Sequence, residues 1–298
     1  MKDATLTRKS NSDHRSVVAL TDTVTVGGDT LLIVGGPCAV ESAEQMEQVA
    51  CHLSSSPVQA LRGGIFKPRT SPYAFQGMGD AGLRILDDMR RRFQMPVISE
   101  VMAIDQIERM AAQVDVLQVG SRNMQNFDLL KALGQATKPV LLKRGLAATL
   151  EEFVMAAEYV LSHGNPNVIL CERGIRSFDP YTRNVLDLAA VVALKQITHL
   201  PVMVDPSHAA GKRELVPALA RAAIAAGADG LIVECHPVPD ESVSDARQAL
   251  TLEEMVNLAR SLEPIAAALG RRLGPDAAGE KAPGSEPEKP FGAIALAA

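Results

Sequence analysis

Apolar and polar positions follow two rhythms along this chain. Eight short runs are apolar almost throughout: residues 31–38, 60–66, 96–101, 116–121, 139–145, 168–174, 201–208 and 230–236. They favour Val, Ile and Leu on both parities, as parallel strands covered on both faces do. Between them, apolar residues recur three and four apart, the spacing of a helix face. Ser42 with Gln45 opens one such segment as a capping box, and Met46, Val49, Ala50 and Leu53 share a face. Thr149 with Glu152 repeats the device, followed by Phe153, Ala156, Ala157 and Val160, with Gly164 as the stop. The spacing predicts a helix over 182–198 that buries Val185, Leu188, Ala189 and Val192. An alanine-rich helix over 215–226 ends at Gly227. Thr251 with Glu254 opens the last helix, which carries Met255, Leu258 and Leu262.

Eight strand–helix alternations with short connections predict a (β/α)8 barrel, the TIM-barrel class of α/β fold. The rival is an open doubly wound sheet. Such a sheet would concentrate its chemically useful residues at one switch point. Here they fall after nearly every apolar run, and no GxGxxG follows the first. Residues 17–26 alternate weakly and meet Gly27-Gly28, which predicts a small hairpin ahead of the barrel. Residues 271–298 are rich in Pro, Gly, Glu, Lys and Ala without a period, and predict a disordered tail. The expected organisation is an N-terminal extension and hairpin over 1–29, a catalytic barrel over 30–265 and a flexible tail over 266–298.

The 298 residues fit one barrel, which takes roughly 250. With 47% hydrophobic residues and no Trp, the core must rest on Val, Leu, Ile, Ala and Met. A net charge of −5 with no basic stripe argues against a nucleic-acid partner. The N-terminus is polar, without the apolar region of a signal peptide. No apolar run approaches the ~20 residues of a membrane span. Cys38, Cys51, Cys171 and Cys235 form no CxxC pair, and a reducing cytoplasm is the expectation.

Barrel active sites form at the C-terminal ends of the strands. Those ends collect Arg62, Lys67, Arg69, Arg122, Lys143, Arg144 and Arg173. A net-negative chain with so many cations at one mouth implies a multiply anionic ligand, phosphate by preference. Solvated loop ends would explain any one of these cations, but not the set. Cys38, His208, Glu234 and Asp245 lie after the first and the last two strands. First and last strands touch in a closed barrel, so closure would gather the four into one divalent-metal site. One thiolate, one imidazole and two carboxylates suit Mn, Fe, Co or Zn better than Mg or Ca. Taken singly, Cys38 reads as a small buried hydrophobe and His208 as a hydrogen-bonded loop histidine. Asp245 shares its loop with Asp240 and Glu241. Glu234 ends the run Leu-Ile-Val and would be costly to bury without a partner.

The motifs GPCAVES, LRGGIFKPRTSPYAFQG, VGSRN, LLKRG, ILCERG, DPSHAAG and VECHP stand in order along the chain. From about residue 31 to residue 250 the chain resembles the 3-deoxy-D-arabino-heptulosonate 7-phosphate (DAHP) synthase family, type I-beta. The resemblance implies a transferase that joins phosphoenolpyruvate to D-erythrose 4-phosphate and water, releasing phosphate, at the entry to the shikimate pathway. It implies one divalent metal ion, held by Cys38, His208, Glu234 and Asp245. It assigns Arg122, Lys143 and Arg173 to phosphoenolpyruvate, with Arg62 and Lys67 near its carboxylate and reacting centre. Arg69 and Thr70 match the site for the aldose phosphate. Lys67 is the expected catalytic residue. A metal-bound water, Glu100 and Asp205 are further acid–base candidates, and Glu100, Asp205 and His236 suit a scaffolding role equally well.

The neighbouring family, 3-deoxy-manno-octulosonate 8-phosphate synthase, uses arabinose 5-phosphate. Its aldose loop reads KANR where this chain has Lys67-Pro68-Arg69-Thr70, which favours the four-carbon sugar. The family suggests a homotetramer. The residues ahead of the first barrel strand are too few for a regulatory fold. The expectations are an unregulated enzyme, or control by a partner such as chorismate mutase. A reading from another class is a silent barrel acting as an interaction module, with FGAIALAA as a docking tail. Retention of every expected ligand argues against it.

Overall fold

The computed structural model describes residues 3–67, 71 and 73–274. β1 (Val18–Ala19) and β2 (Thr25–Val26) form an antiparallel hairpin. The eight apolar runs then supply eight parallel strands. They are β3 (Thr30–Gly36), β4 (Ala60–Arg62), β5 (Val97–Glu100), β6 (Val116–Val119), β7 (Val140–Lys143), β8 (Val168–Glu172), β9 (Val202–Val204) and β10 (Gly230–Glu234). Each pairs with its neighbour in sequence. β10 also pairs with β3, from Gly230 opposite Leu32 to Glu234 opposite Gly36, and this closes the barrel. The barrel wall is tight at Gly36. Its φ is +147°, and a Cβ there would lie 2.2 Å from the Arg62 carbonyl oxygen.

Side chains alternate across each strand, so the strands build two cores. Leu32, Val34, Ile98, Val116, Leu141, Ile169, Met203 and Ile232 fill the barrel interior. Leu31, Ile33, Leu61, Val97, Leu117, Leu142, Leu170 and Val233 face the surrounding helices. Val18, Leu20 and Val26 of the hairpin belong to the interior cluster and cap the N-terminal mouth of the barrel.

The helices are α1 (Ala43–Ser54), α2 (Asp80–Phe93), α3 (Ile107–Ala111), α4 (Phe127–Leu133), α5 (Leu150–Ser162), α6 (Leu188–Ile197), α7 (Pro206–Ala210), α8 (Val216–Ala225), α9 (Leu252–Ser261) and α10 (Glu263–Ala268). Thr149 and Thr251 form the full capping boxes expected of them. At α1 the box is split. Ser42 Oγ accepts from Gln45 N–H at 3.0 Å, while Gln45 Oε1 accepts from Glu41 N–H at 3.0 Å. Among the described residues, no helix is long and apolar enough to cross a membrane.

Three expectations need correction. The helix expected over 182–198 starts at Leu188, because Asp187 caps it by accepting from Ala190 N–H at 2.9 Å. The N–H groups of Arg183, Asn184 and Val185 bond instead to the carbonyls of Ala210, Ala209 and Ile175. The buried face is Ala190, Val191 and Leu194, which leaves Val185, Ala189 and Val192 exposed. The run 201–208 is a strand only to Val204. Asp205 and Pro206 then start α7, which carries His208. The tail boundary at 266 falls inside α10, which begins at Glu263 with Pro264 in its first turn. After α10, β11 (Arg272–Leu273) pairs with the start of β3. Residues 275–298, including FGAIALAA, lie outside the described residues.

Candidate active site

Closure of the barrel brings the four proposed ligands together. Cys38 follows β3, His208 lies on α7, Glu234 ends β10, and Asp245 sits in the loop after β10. Their ligand atoms all lie within 4.8 Å of one another. Cys38 Sγ is 3.9 Å from His208 Nε2 and 3.2 Å from Asp245 Oδ2. His208 Nε2 is 3.7 Å from Glu234 Oε2 and 3.8 Å from Asp245 Oδ2.

The surroundings orient each donor. Asp205 Oδ2 pairs with His208 Nδ1 at 2.8 Å, which turns Nε2 toward the cluster. The same oxygen takes the Lys143 ammonium. Asp205 Oδ1 caps α7 by accepting from His208 N–H at 2.9 Å. Gln248 Nε2 donates to Glu234 Oε2 at 2.7 Å, and Arg183 Nη1 donates to Asp245 Oδ1 at 2.9 Å. Lys67 Nζ donates to Cys38 Sγ at 2.9 Å and to the Cys38 carbonyl at 3.0 Å.

The electrostatics fit a cation. Burial, with Glu234 beside it, pushes the Cys38 thiol up. Burial pushes Glu234 up to about 8, against the pull of Arg62. Burial lowers His208 to about 3 and outweighs the Asp205 carboxylate. Burial would raise Asp245, but His208 and Arg183 hold it below the usual carboxylate range. Glu234 Oε1 is buried and has no hydrogen-bond partner among the described residues. A borderline divalent ion accepts thiolate, imidazole and carboxylate together, and its charge would let Cys38 and Glu234 ionise.

Beside the cluster lies a cleft of about 320 Å³. Arg62, Lys67, Arg122, Lys143 and Arg173 line it, as the sequence led us to expect. Arg62 is buried, and its Nη1 has no hydrogen-bond partner among the described residues. Burial lowers the Arg173 pKa, so its charge is held at a cost. Glu100 also faces the cleft and accepts from Gln118 Nε2 at 3.3 Å. Its carboxylate lies over Gly120, where a Cβ would come within 2.1 Å of Oε1.

Other residues fall elsewhere. Arg144 is absent from the cleft. It is one position out of phase with Lys143 and turns outward, to Glu172 at 2.9 Å and Asp187 at 3.0 Å. His236 accepts from Val238 N–H, and its Nε2 lies 3.5 Å from Glu41, outside both cluster and cleft. Asp205 is fully buried and engaged by Lys143 and His208. Arg69 and Thr70 lie outside the described residues. Sequence reasoning missed Arg176 and Arg183, which also line the cleft. The signal was available, since both follow Arg173 in the same loop. A larger groove, about 860 Å³, runs outside the barrel between α1 and α9 past Cys51 and Arg260. It contains none of the metal or cleft residues.

Comparison with known proteins agrees with this geometry. A model of the DAHP synthetase I family matches residues 9–269. The phospho-2-dehydro-3-deoxyheptonate aldolase of Thermotoga maritima is 46% identical over 258 residues, covering 87% of this chain and 76% of that protein. The 2-dehydro-3-deoxyphosphooctonate aldolase of Syntrophotalea carbinolica is 32% identical over 261 residues, covering 81% of this chain and 93% of that protein. A truncated 3-deoxy-D-arabino-heptulosonate 7-phosphate synthase from T. maritima superposes with a TM-score of 0.84 at 42% identity, covering 90% of this chain and 98% of that structure. On its barrel, its motifs and these relatives, the chain belongs to the DAHP synthetase I family.

Proposed function

We propose that this protein is a metal-dependent DAHP synthase, which condenses phosphoenolpyruvate with D-erythrose 4-phosphate and water to give DAHP and phosphate. The observation that carries the reading is the juxtaposition of four donors within 4.8 Å and a cation-lined cleft. Greater identity to the phospho-2-dehydro-3-deoxyheptonate aldolase than to the octonate enzyme supports the four-carbon sugar. The KPRT sequence at 67–70 supports it as well.

Arg122, Lys143 and Arg173 would hold the phosphate of phosphoenolpyruvate, with Arg62 on its carboxylate. Each charge-assisted hydrogen bond contributes roughly 1.5–3 kcal/mol. Clamped this way, C3 of the enol faces the aldehyde carbon and a C–C bond forms between them. Cys38, His208, Glu234 and Asp245 would hold the metal, which when bound supplies a Lewis acid for a carbonyl oxygen. Lys67 stands between cluster and cleft and can give a proton to the oxygen of the former aldehyde. Water adds at C2, with Glu100 placed to take its proton. The C2–O bond to phosphate then breaks, and phosphate leaves. Arg69 and Thr70 would bind the phosphate of the aldose.

The metal is proposed from Mn, Fe, Co and Zn on the mixed donor set. A homotetramer is proposed from the family resemblance, and Val192 on α6, with Val185 before it and Ile104 before α3, offers exposed apolar surface for subunit contacts. The test is phosphate release with erythrose 4-phosphate and, in parallel, with arabinose 5-phosphate, each with manganese and with EDTA. Turnover with the four-carbon sugar, abolished by EDTA and restored by metal, is expected. Preference for the five-carbon sugar would overturn the substrate assignment. Silence with both would overturn the synthase reading.

A further inference from the structure

Two carboxylate ligands of the cluster are tied to each other by side chains that neither bind the metal nor belong to any motif singled out above. Arg183 Nη1 donates to Asp245 Oδ1 at 2.9 Å and to Gln248 Oε1 at 3.1 Å. Gln248 Nε2 donates to Glu234 Oε2 at 2.7 Å. The result is one continuous path, Asp245–Arg183–Gln248–Glu234. It leaves Asp245 Oδ2 facing Cys38 and His208, and it leaves Glu234 Oε1 without a bond among the described residues.

The path has a fixed footing. Arg183 N–H donates to the Ala210 carbonyl at 3.0 Å, Asn184 N–H to Ala209 at 2.8 Å, and Asn184 Nδ2 to the His208 carbonyl at 3.1 Å. Arg183 packs so closely over Gly211 that a Cβ there would meet it at 2.6 Å. The segment carrying Arg183 therefore touches α7, which bears His208, as well as both carboxylates. Asp245 has a left-handed backbone, with φ +58°, a conformation that asparagine and aspartate tolerate better than other side chains. Gln248 N–H donates to the Asp245 carbonyl at 3.1 Å and closes that turn. The same β8–α6 connection supplies Arg173 and Arg176 to the anion cleft.

We infer that Arg183 and Gln248 form a brace that positions the Asp245 and Glu234 carboxylates for the metal and joins the metal cluster to the anion-binding loop. Arg183 and Gln248 are positioning residues, since they act on the metal only through its ligands. The guanidinium bonds both acceptors through Nη1, a nitrogen held in a rigid plane that a lysine ammonium lacks. Because cluster and loop share the brace, an anion in the cleft and a metal in the cluster should each tighten the other by the same factor.

The inference rests on the metal reading proposed above, and its test separates the two. Manganese binding is measured by electron paramagnetic resonance titration, and cobalt by the thiolate charge-transfer band, with and without phosphoenolpyruvate. Wild type, Arg183→Ala, Arg183→Lys and Gln248→Ala are compared, each checked for folding by its apo melting temperature. Arg183→Ala and Gln248→Ala should each weaken manganese binding about 10–100-fold and alter the cobalt spectrum. Arg183→Lys should recover part of the affinity. The double alanine variant should lose little more than either single one, because the path is broken once. Phosphoenolpyruvate should strengthen metal binding in wild type and much less in Arg183→Ala. A folded Arg183→Ala or Gln248→Ala with wild-type affinity and spectrum would overturn the brace and leave the metal reading standing. A wild type that binds neither ion would overturn the metal reading, and the brace with it.

Discussion

The two mouths of this barrel are built from the same eight strands and solve opposite problems. At the N-terminal mouth, Val18, Leu20 and Val26 of the hairpin press onto Leu32, Met203 and their neighbours. The hairpin side chains that enter the interior there are apolar, and contact alone satisfies them. At the C-terminal mouth, the strand ends and the segments just beyond them bury Arg62, Lys143, Arg173, Asp205 and Glu234. Arg62 Nη1 and Glu234 Oε1 have no hydrogen-bond partner among the described residues. A buried polar group left this way costs roughly 1–3 kcal/mol, more when charged. One end therefore supplies stability that the other consumes. The residues at the costly end have been placed for what they bind, not for what they add to the fold.

The largest effect that could break this division is at the costly end. Cys38→Ala should abolish manganese binding and lower turnover by at least about 10³-fold, or about 4 kcal/mol of barrier. The metal-free melting temperature should stay within a few degrees of wild type. Metal analysis, phosphate release and calorimetry check the three parts. Full turnover in the chelated variant would sink the metal assignment. Leu20→Ala, at the other mouth, should do the reverse. It should cost about 2–4 kcal/mol of stability by denaturant titration, with KM and kcat of the folded enzyme unchanged. A change in KM at undiminished stability would mean that the hairpin reaches the site. Arg173→Ala sharpens the contrast further. It should raise KM for phosphoenolpyruvate roughly 10–100-fold, the loss of one or two charge-assisted bonds. Its melting temperature should hold or rise, because a buried cation is removed.

The apolar end was the more legible of the two. Strands buried on both faces need continuous apolar runs, and those runs are visible without any partner. The gathering of Cys38, His208, Glu234 and Asp245 was legible for a topological reason, since a closed barrel must bring β3 beside β10. Features that depend on parity or on distant partners were not. Lys143 and Arg144 are adjacent cations, and only the strand's alternation sends one inward and the other to Glu172. The start of α6 was misplaced because Val185, Leu188 and Val192 keep helical spacing. The deciding cap, Asp187, is one polar residue inside that pattern. Arg183 and Gln248 are 65 positions apart, and nothing local announces their contact.

Glu158 is the extreme case of a distant partner, and it gives the smallest test. It lies buried on α5, a helix position that the apolar pattern passes over without comment. Its carboxylate gathers Thr5 N–H, Leu6 N–H and Thr7 N–H at 2.7–2.9 Å, and both threonine hydroxyls at 2.8–3.0 Å. Those donors come from the N-terminal segment some 150 residues away, which the charge pins beside α6 through Thr7 and His199. Burial alone would raise its pKa, but the bonds from Leu6 and Thr7 hold it below the ordinary 4.5. A folded pKa below the unfolded one stabilises the protein fully above 4.5, and that contribution fades as pH falls through the folded value. Glu158→Gln loses the charge and offers an amide where Thr7 needs an acceptor. It should cost about 1–2 kcal/mol at pH 7. The gap to wild type should close as pH falls through the folded value, since the wild-type carboxylate is then protonated too. Denaturant titrations of both proteins from pH 3 to pH 8 measure that gap. A gap that stays constant over the range would show that shape, not charge, holds the segment. A gap that closes, with KM unchanged throughout, would place this charge with the hairpin, among the groups that stabilise the barrel without touching its chemistry.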